Sequence, residues 1–218
     1  YRIWGNEPLR RANFGYLGHQ WELYAMWTWI PLLLIHSFET AGWEPAVARW
    51  VSFVVIGIGG AGCVAAGRVS DKVGRCRTTI WCLVLSGICC LVAGFLVSAP
   101  YLLTVVCVVW GLVVIADSAQ FSTAISELSN PELVGTALTV QTCVGFLLTM
   151  ATIRLVPFLE EQVGWGMAIA TLSFGPVFGI WHMSRLRRHP EAVKMAGGQG
   201  EKGKARFPGS EPRILKIA

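Results

Sequence analysis

Glu22, Asp117 and Gln141 stand inside stretches of sequence that otherwise carry almost no charge or amide. An ionisable side chain surrounded by hydrocarbon is costly unless it faces a protein interior or a wet cavity, and a carboxyl group held there can take up and give back a proton. Asp117 opens the polar run Asp117-Ser118-Ala119-Gln120-Phe121-Ser122-Thr123. Glu22 follows His19 at i,i+3 and leads into Tyr24, Trp27 and Trp29, while Gln141 lies among Thr136, Thr139 and Thr142. In that pattern Asp117, and after it Glu22, are candidates for proton coupling. Gln141, Gln120 and Trp27 are candidate substrate contacts, and Trp29, Phe121 and Phe146 could line a path. Each has a structural competitor: Asp117 bonded to Ser118 or Gln120, Glu22 snorkelling to the interface, the aromatics simply packing.

Other chemistries find less support. His19 has no second His or Cys at metal-ligand spacing, which leaves a hydrogen-bonded helix-end role and no metal site. Gly57-Ile58-Gly59-Gly60-Ala61-Gly62 satisfies G-x-G-x-x-G, but it lies within an apolar helix and lacks the later acidic residue of a dinucleotide site, so it reads as a packing surface and no cofactor is expected. No Walker loop, Ser/His/Asp grouping or catalytic carboxylate pair on a soluble domain is found, so the chain is not read as an enzyme. Cys63, Cys76, Cys82, Cys89, Cys90, Cys107 and Cys143 form no C-x-x-C pair and read as small packing residues.

The elements that must position these residues follow from composition. Of 218 residues, 54% are hydrophobic and 14% charged, against about 25% charged in a soluble domain. The apolar residues fall in blocks of roughly 20, enough for a helix to cross about 30 Å of hydrocarbon. The blocks predict an all-α, polytopic membrane protein built as a six-transmembrane-helix bundle. Its spans run approximately over 15–38, 47–66, 78–97, 101–129, 131–153 and 164–183. Residues 1–14 form a polar lead-in, 67–77 a compact basic loop, and 185–218 a basic tail with a disordered composition. Asn130 and Pro131 have the types of a helix N-cap and first position.

Basic residues sort to alternate sides. Arg2, Arg10 and Arg11, then Arg68, Lys72, Arg75 and Arg77, then Arg185, Arg187, Arg188 and Lys194 share one side, which the positive-inside rule makes cytoplasmic. Arg49 and Arg154 fall on the other, where Arg154 marks the outer boundary of the fifth span. The net charge of +5 is thus topological, and nucleic acid is not an expected partner. Trp4, Trp43, Trp50 and Trp165 fall near span ends, as amphipathic rings do. In the second span Gly59/Cys63/Gly67 and Gly57/Ala61/Ala65 repeat at four-residue spacing, a pattern that lets backbones approach.

The loop Gly67-Arg-Val-Ser-Asp71-Lys72-Val-Gly74-Arg75-Cys76-Arg77 resembles the G-x-x-x-D-R/K-x-G-R-R/K loop of the major facilitator superfamily, with Cys76 departing from the pattern. Its place between the second and third spans is similar too. The resemblance covers about residues 15–188 and implies half of a twelve-helix fold built from inverted three-helix repeats. An N-terminal half usually carries an Arg in its fourth helix and Gly-Pro in its fifth, and neither is present. The basic lead-in is similar to the end of a central loop, so the C-terminal half is implied. By this resemblance Gly67, Asp71, Lys72, Gly74 and Arg75 form a conformational switch. The chain would then be part of a permease that moves a small solute or ion across the plasma membrane by alternating access, with protons as one coupling option. The missing N-terminal bundle and the lipid bilayer would be its partners, and both ends would be cytoplasmic. The alternative is a non-transporting sensor or assembly protein on the same scaffold.

Overall fold

A computed structural model describes residues 2–195, with side chains from Trp4 onward. Among these residues every regular element is a helix. A short turn, α1 (Arg2–Gly5), precedes α2 (Glu7–Thr40). The remaining helices are α3 (Pro45–Gly57), α4 (Gly59–Val73), α5 (Arg75–Ala93), α6 (Pro100–Val114), α7 (Ser118–Leu128), α8 (Val134–Ala170) and α9 (Phe174–Arg187).

These pieces make six membrane-crossing rods. Four segments are long and apolar enough by composition, Pro45–Val73, Arg75–Leu96, Pro100–Leu128 and Pro131–Arg187. The last contains two rods, because Gly164 takes φ 76° and ψ 170° inside α8 and reverses the chain. Only glycine enters that region without a Cβ penalty. The sixth rod is α2, whose 34 residues span about 51 Å at 1.5 Å per residue. It carries Asn13, His19, Gln20, Glu22 and Ser37 inward.

Several boundaries differ from the sequence expectation. The polar lead-in is helical from Glu7: Asn6 caps α2 by accepting from the Leu9 amide at 3.3 Å, and Pro8 occupies the first turn. The expected loop 67–77 collapses to one non-helical residue, Gly74 at φ 91°, so Gly67, Asp71 and Lys72 end α4 while Arg75 opens α5. Glycine at position 74 supplies the turn alone. The fifth rod runs well past Ile153 to the break at Gly164, leaving Arg154 on an exposed mid-helix position rather than at the boundary.

Pro157 sits within that rod and has no amide to offer Ile153 four residues earlier. The Trp29 indole donates to the freed Ile153 carbonyl at 2.9 Å and seals the gap. At the other end, the tail folds back through a 3₁₀ segment, Pro190–Met195, that buries Met195. The remainder of the expected disordered tail, 196–218, lies outside the described residues.

Close packing depends on glycine at two crossings. A Cβ on Gly62 would run into the Leu112 carbonyl, and one on Gly111 into that of Val55, so the second rod lies backbone-to-backbone against α6. The contacting ridge is Gly59, Gly62, Cys63 and Ala66, with the Cys63 thiol 3.4 Å from the Ile115 carbonyl. Of the two small-residue repeats, only the one through Gly59 and Cys63 packs inside the bundle. Gly57, Gly60, Ala61 and Ala65 are exposed on the opposite side.

Candidate functional site

One break in helical geometry and one continuous helix place the central polar residues. The fourth rod loses its helix over residues 115–117, between α6 and α7, and Asp117 is the last residue of that joint. Its carboxylate Oδ1 lies 3.0 Å from His19 Nδ1 on α2, with both side chains 2% exposed. Thus Asp117 does not take its partner from Ser118 or Gln120; it bridges to another helix. Helical spacing on α2 then turns Glu22, one turn beyond His19, into the same interior.

Glu22 is 1% exposed, and its Oε1 accepts from the Trp110 indole at 2.5 Å and from the Ser86 hydroxyl. Trp110 also donates to Ser86 Oγ at 3.1 Å. Snorkelling is excluded: α2 begins at Glu7, which puts Glu22 about 22 Å along its helix, and its carboxylate is tied to α5 and α6 together. Buried polar groups must be partnered, and this triangle partners three of them. Ser86 and Trp110 were not legible as partners, since each sits alone in an apolar run.

A second polar surface lies on the α2–α8 side. Gln20 donates to Tyr16 Oη at 2.6 Å, and both pack on Gly145, where a Cβ would meet the tyrosine ring at 2.6 Å. Tyr24 meets Phe146 with ring centroids 5.2 Å apart. Gln141 is 3% exposed. The Nε2 of Gln141, Oε1 of Gln20 and Nε1 of Trp27 are buried without a hydrogen-bond partner, as are His19 Nε2 and Asp117 Oδ2. Such orphaned atoms stand ready to bond a proton, water or solute. Phe121 is fully buried against Tyr16 and His19 and walls the His19–Asp117 pair.

Gln120 belongs to a third group. One turn beyond Asp117 on α7, its Oε1 accepts from Arg75 Nη1 at 3.2 Å. Arg75 also donates through Nε to both Glu127 oxygens at 3.0 Å, with Nη2 3.0 Å from Oε1. Arg75, at the start of α5, therefore clamps α7 through a forked guanidinium–carboxylate pair, the geometry that makes such contacts strong. Asp71 and Lys72 are exposed at the end of α4.

The candidate residues form three groups rather than one chamber. His19, Glu22 and Asp117 lie within the packed bundle, Gln141 and Trp27 at the α2–α8 face, and Gln120 with Arg75 at the end of α7. Among the described residues no group of three or more His, Cys, Asp or Glu side chains is placed to hold a metal ion, and all seven cysteines are free thiols.

The family model of the Major Facilitator Superfamily matches residues 13–215. A comparison with curated proteins gives no match. The match covers nearly the whole chain, in agreement with six helical rods, five of them within the long apolar segments, and with buried polar residues joining them across the bundle. The chain belongs to the Major Facilitator Superfamily and is an integral membrane protein of its transporter class.

Proposed function

We propose that this chain is the C-terminal six-helix half of a twelve-helix permease that moves a small solute by alternating access, with the His19–Asp117 pair carrying the coupling proton. The observation that carries this reading is the position of that pair. It ties the continuous helix α2 to the broken joint between α6 and α7, where a change of partner can alter the angle between the two half-rods. Gain or loss of a proton changes the charge on the imidazole or the carboxyl and with it the attraction across the joint, which links proton occupancy to joint geometry.

Glu22 serves the same interior as the second carboxylate, held by Ser86 and Trp110. Gln141 and Trp27, with unpaired polar atoms on the α2–α8 face, are the proposed solute contacts. Gly67, Asp71, Lys72, Gly74 and Arg75 form the proposed switch, supported by the clamp from Arg75 to Glu127 and Gln120: opening it would free α7, which follows directly on Asp117 of the coupling pair. Both ends are assigned to the cytoplasm by the basic residues, and the plasma membrane is the proposed location.

The exposed small ridge Gly57, Gly60, Ala61 and Ala65 supports docking of an N-terminal bundle, because small residues let a partner helix approach closely in lipid. Flux into vesicles containing the twelve-helix protein tests the proposal. Solute accumulation that depends on a proton gradient supports it. A full-length protein that binds solute but produces no flux supports instead a sensor on this scaffold.

A further inference from the structure

The crossing of α2 and α9 leaves a groove that the transport reading does not use. Gly18 and Gly175 meet at the crossing, where a Cβ on Gly18 would lie 2.7 Å from the Gly179 amide nitrogen. With no side chains there, the floor is backbone. Phe14, Leu17 and Trp21 on α2 and Val177, Phe178 and Trp181 on α9 form the walls of a cavity of about 690 Å³. From Phe14 to Trp21 the groove follows about 10 Å of helix. Its lining is almost wholly apolar, and Val177 is 62% exposed, so it opens sideways where the rods face hydrocarbon.

One end of the groove is basic. His182 packs on three of the wall residues, with ring centroids 4.8 Å from Phe14, 4.5 Å from Phe178 and 4.4 Å from Trp181. Arg10 and Arg11 lie one helical turn before Phe14 on α2, and Arg185 lies one turn beyond His182 and Trp181 on α9. Arg185 stacks on Trp181, its guanidinium carbon 4.1 Å from the ring centroid. Arg10 is steered by donating to the Trp4 carbonyl at 2.8 Å. Among the described residues, only Arg11 of the three cations has a carboxylate partner, Glu7. Arg10 and Arg185 thus present guanidinium groups, which favour phosphate oxygens, at the mouth of an acyl-sized apolar slot.

We propose that this groove binds one anionic phospholipid, its acyl chain between α2 and α9 and its phosphate at Arg10 and Arg185. A water-soluble ligand would find no polar partner along the walls. A zwitterionic lipid would leave the surplus positive charge uncompensated, so the headgroup should carry net negative charge.

Native mass spectrometry of the purified protein, titrated with phosphatidylglycerol and with phosphatidylcholine of the same chains, tests the site. The expected result is one retained phosphatidylglycerol and weaker retention of phosphatidylcholine. Arg10→Gln and Arg185→Gln should each weaken phosphatidylglycerol retention about fivefold and phosphatidylcholine retention less, narrowing the preference between them. Arg49→Gln, at the far end of the bundle, should change neither. Val177→Trp, which fills an exposed position on the wall, should displace both lipids. A photoactivatable acyl chain on phosphatidylglycerol should label Val177 and its neighbours in the unaltered protein, independently of whether the variants fold. Equal retention of the two lipids, a preference untouched by the arginine variants, or labelling that maps elsewhere overturns the proposal.

Discussion

Truncating the His19–Asp117 pair should reveal a coupling energy that neither residue shows alone. The two atoms are 3.0 Å apart and both side chains are 2% exposed, so water cannot replace a lost partner. His19→Ala leaves a buried carboxyl group with both oxygens unpaired, because Asp117 Oδ2 has no hydrogen-bond partner even in the intact pair. Asp117→Ala leaves the imidazole equally stranded. Removing one member of a buried pair costs about 3–5 kcal/mol. The double variant strands nothing and loses only packing, so its cost should fall short of the sum of the single costs by about 1–3 kcal/mol. Thermal unfolding in detergent with a thiol-reactive fluorophore reads this directly, since Cys89, Cys90 and Cys107 are buried and become reactive as the bundle opens. Single-variant costs that add to within about 0.5 kcal/mol would show that the two side chains do not interact and would remove the structural basis of the coupling assignment.

Gly62→Ala should destabilise the bundle by about 1–3 kcal/mol because its Cβ meets the Leu112 carbonyl. Gly60→Ala, with open space around it, should be neutral or stabilising by up to about 1 kcal/mol in the same unfolding assay. Trp110→Phe removes a donor to Glu22 and should lower stability by about 1 kcal/mol, whereas Trp81→Phe, at a residue 56% exposed, should not. Glu127→Gln should loosen the Arg75 clamp, seen as faster amide exchange over α7; unchanged exchange there would argue against the clamp. Arg11 hydrogen-bonds Glu7 and, with its charge, holds that carboxyl below its ordinary range. A folded-state affinity for protons below the unfolded one means that any contribution is present above the usual carboxylate range and is lost as pH falls through the lowered value. Glu7→Gln should abolish that part of the pH profile and leave the rest unchanged.

The rods were legible because lipid demands unbroken apolar stretches, and the cap at Asn130 because its side-chain oxygen can accept from a free amide of the helix start, as it does from the Glu132 amide at 3.4 Å. What the sequence concealed was the joint at 115–117, which ends an apolar run where composition does not distinguish a straight helix from a broken one; the break at Gly164, just after Glu160, Glu161 and Gln162, falls where the sixth span was expected to begin. Conversely, the glycines of 67–77 suggested a loop, yet the residues between them continue α4 as far as Val73. Among the site residues, Glu22 and Asp117 announced themselves by the cost of charge in lipid. Their partners did not, since a pairing such as Glu22 with Ser86 and Trp110 depends on the rotation of three helices about their axes. His19 illustrates the difference: its place near a helix start was readable, but its bond to Asp117 belongs to tertiary packing.

The coupling role of Asp117 is tested most directly by uptake into vesicles holding the twelve-helix protein, with and without an imposed proton gradient, for the unaltered protein and Asp117→Asn. The account predicts that the variant loses gradient-driven accumulation while still exchanging solute across the membrane at equilibrium. Full pH-dependent accumulation by Asp117→Asn would contradict it.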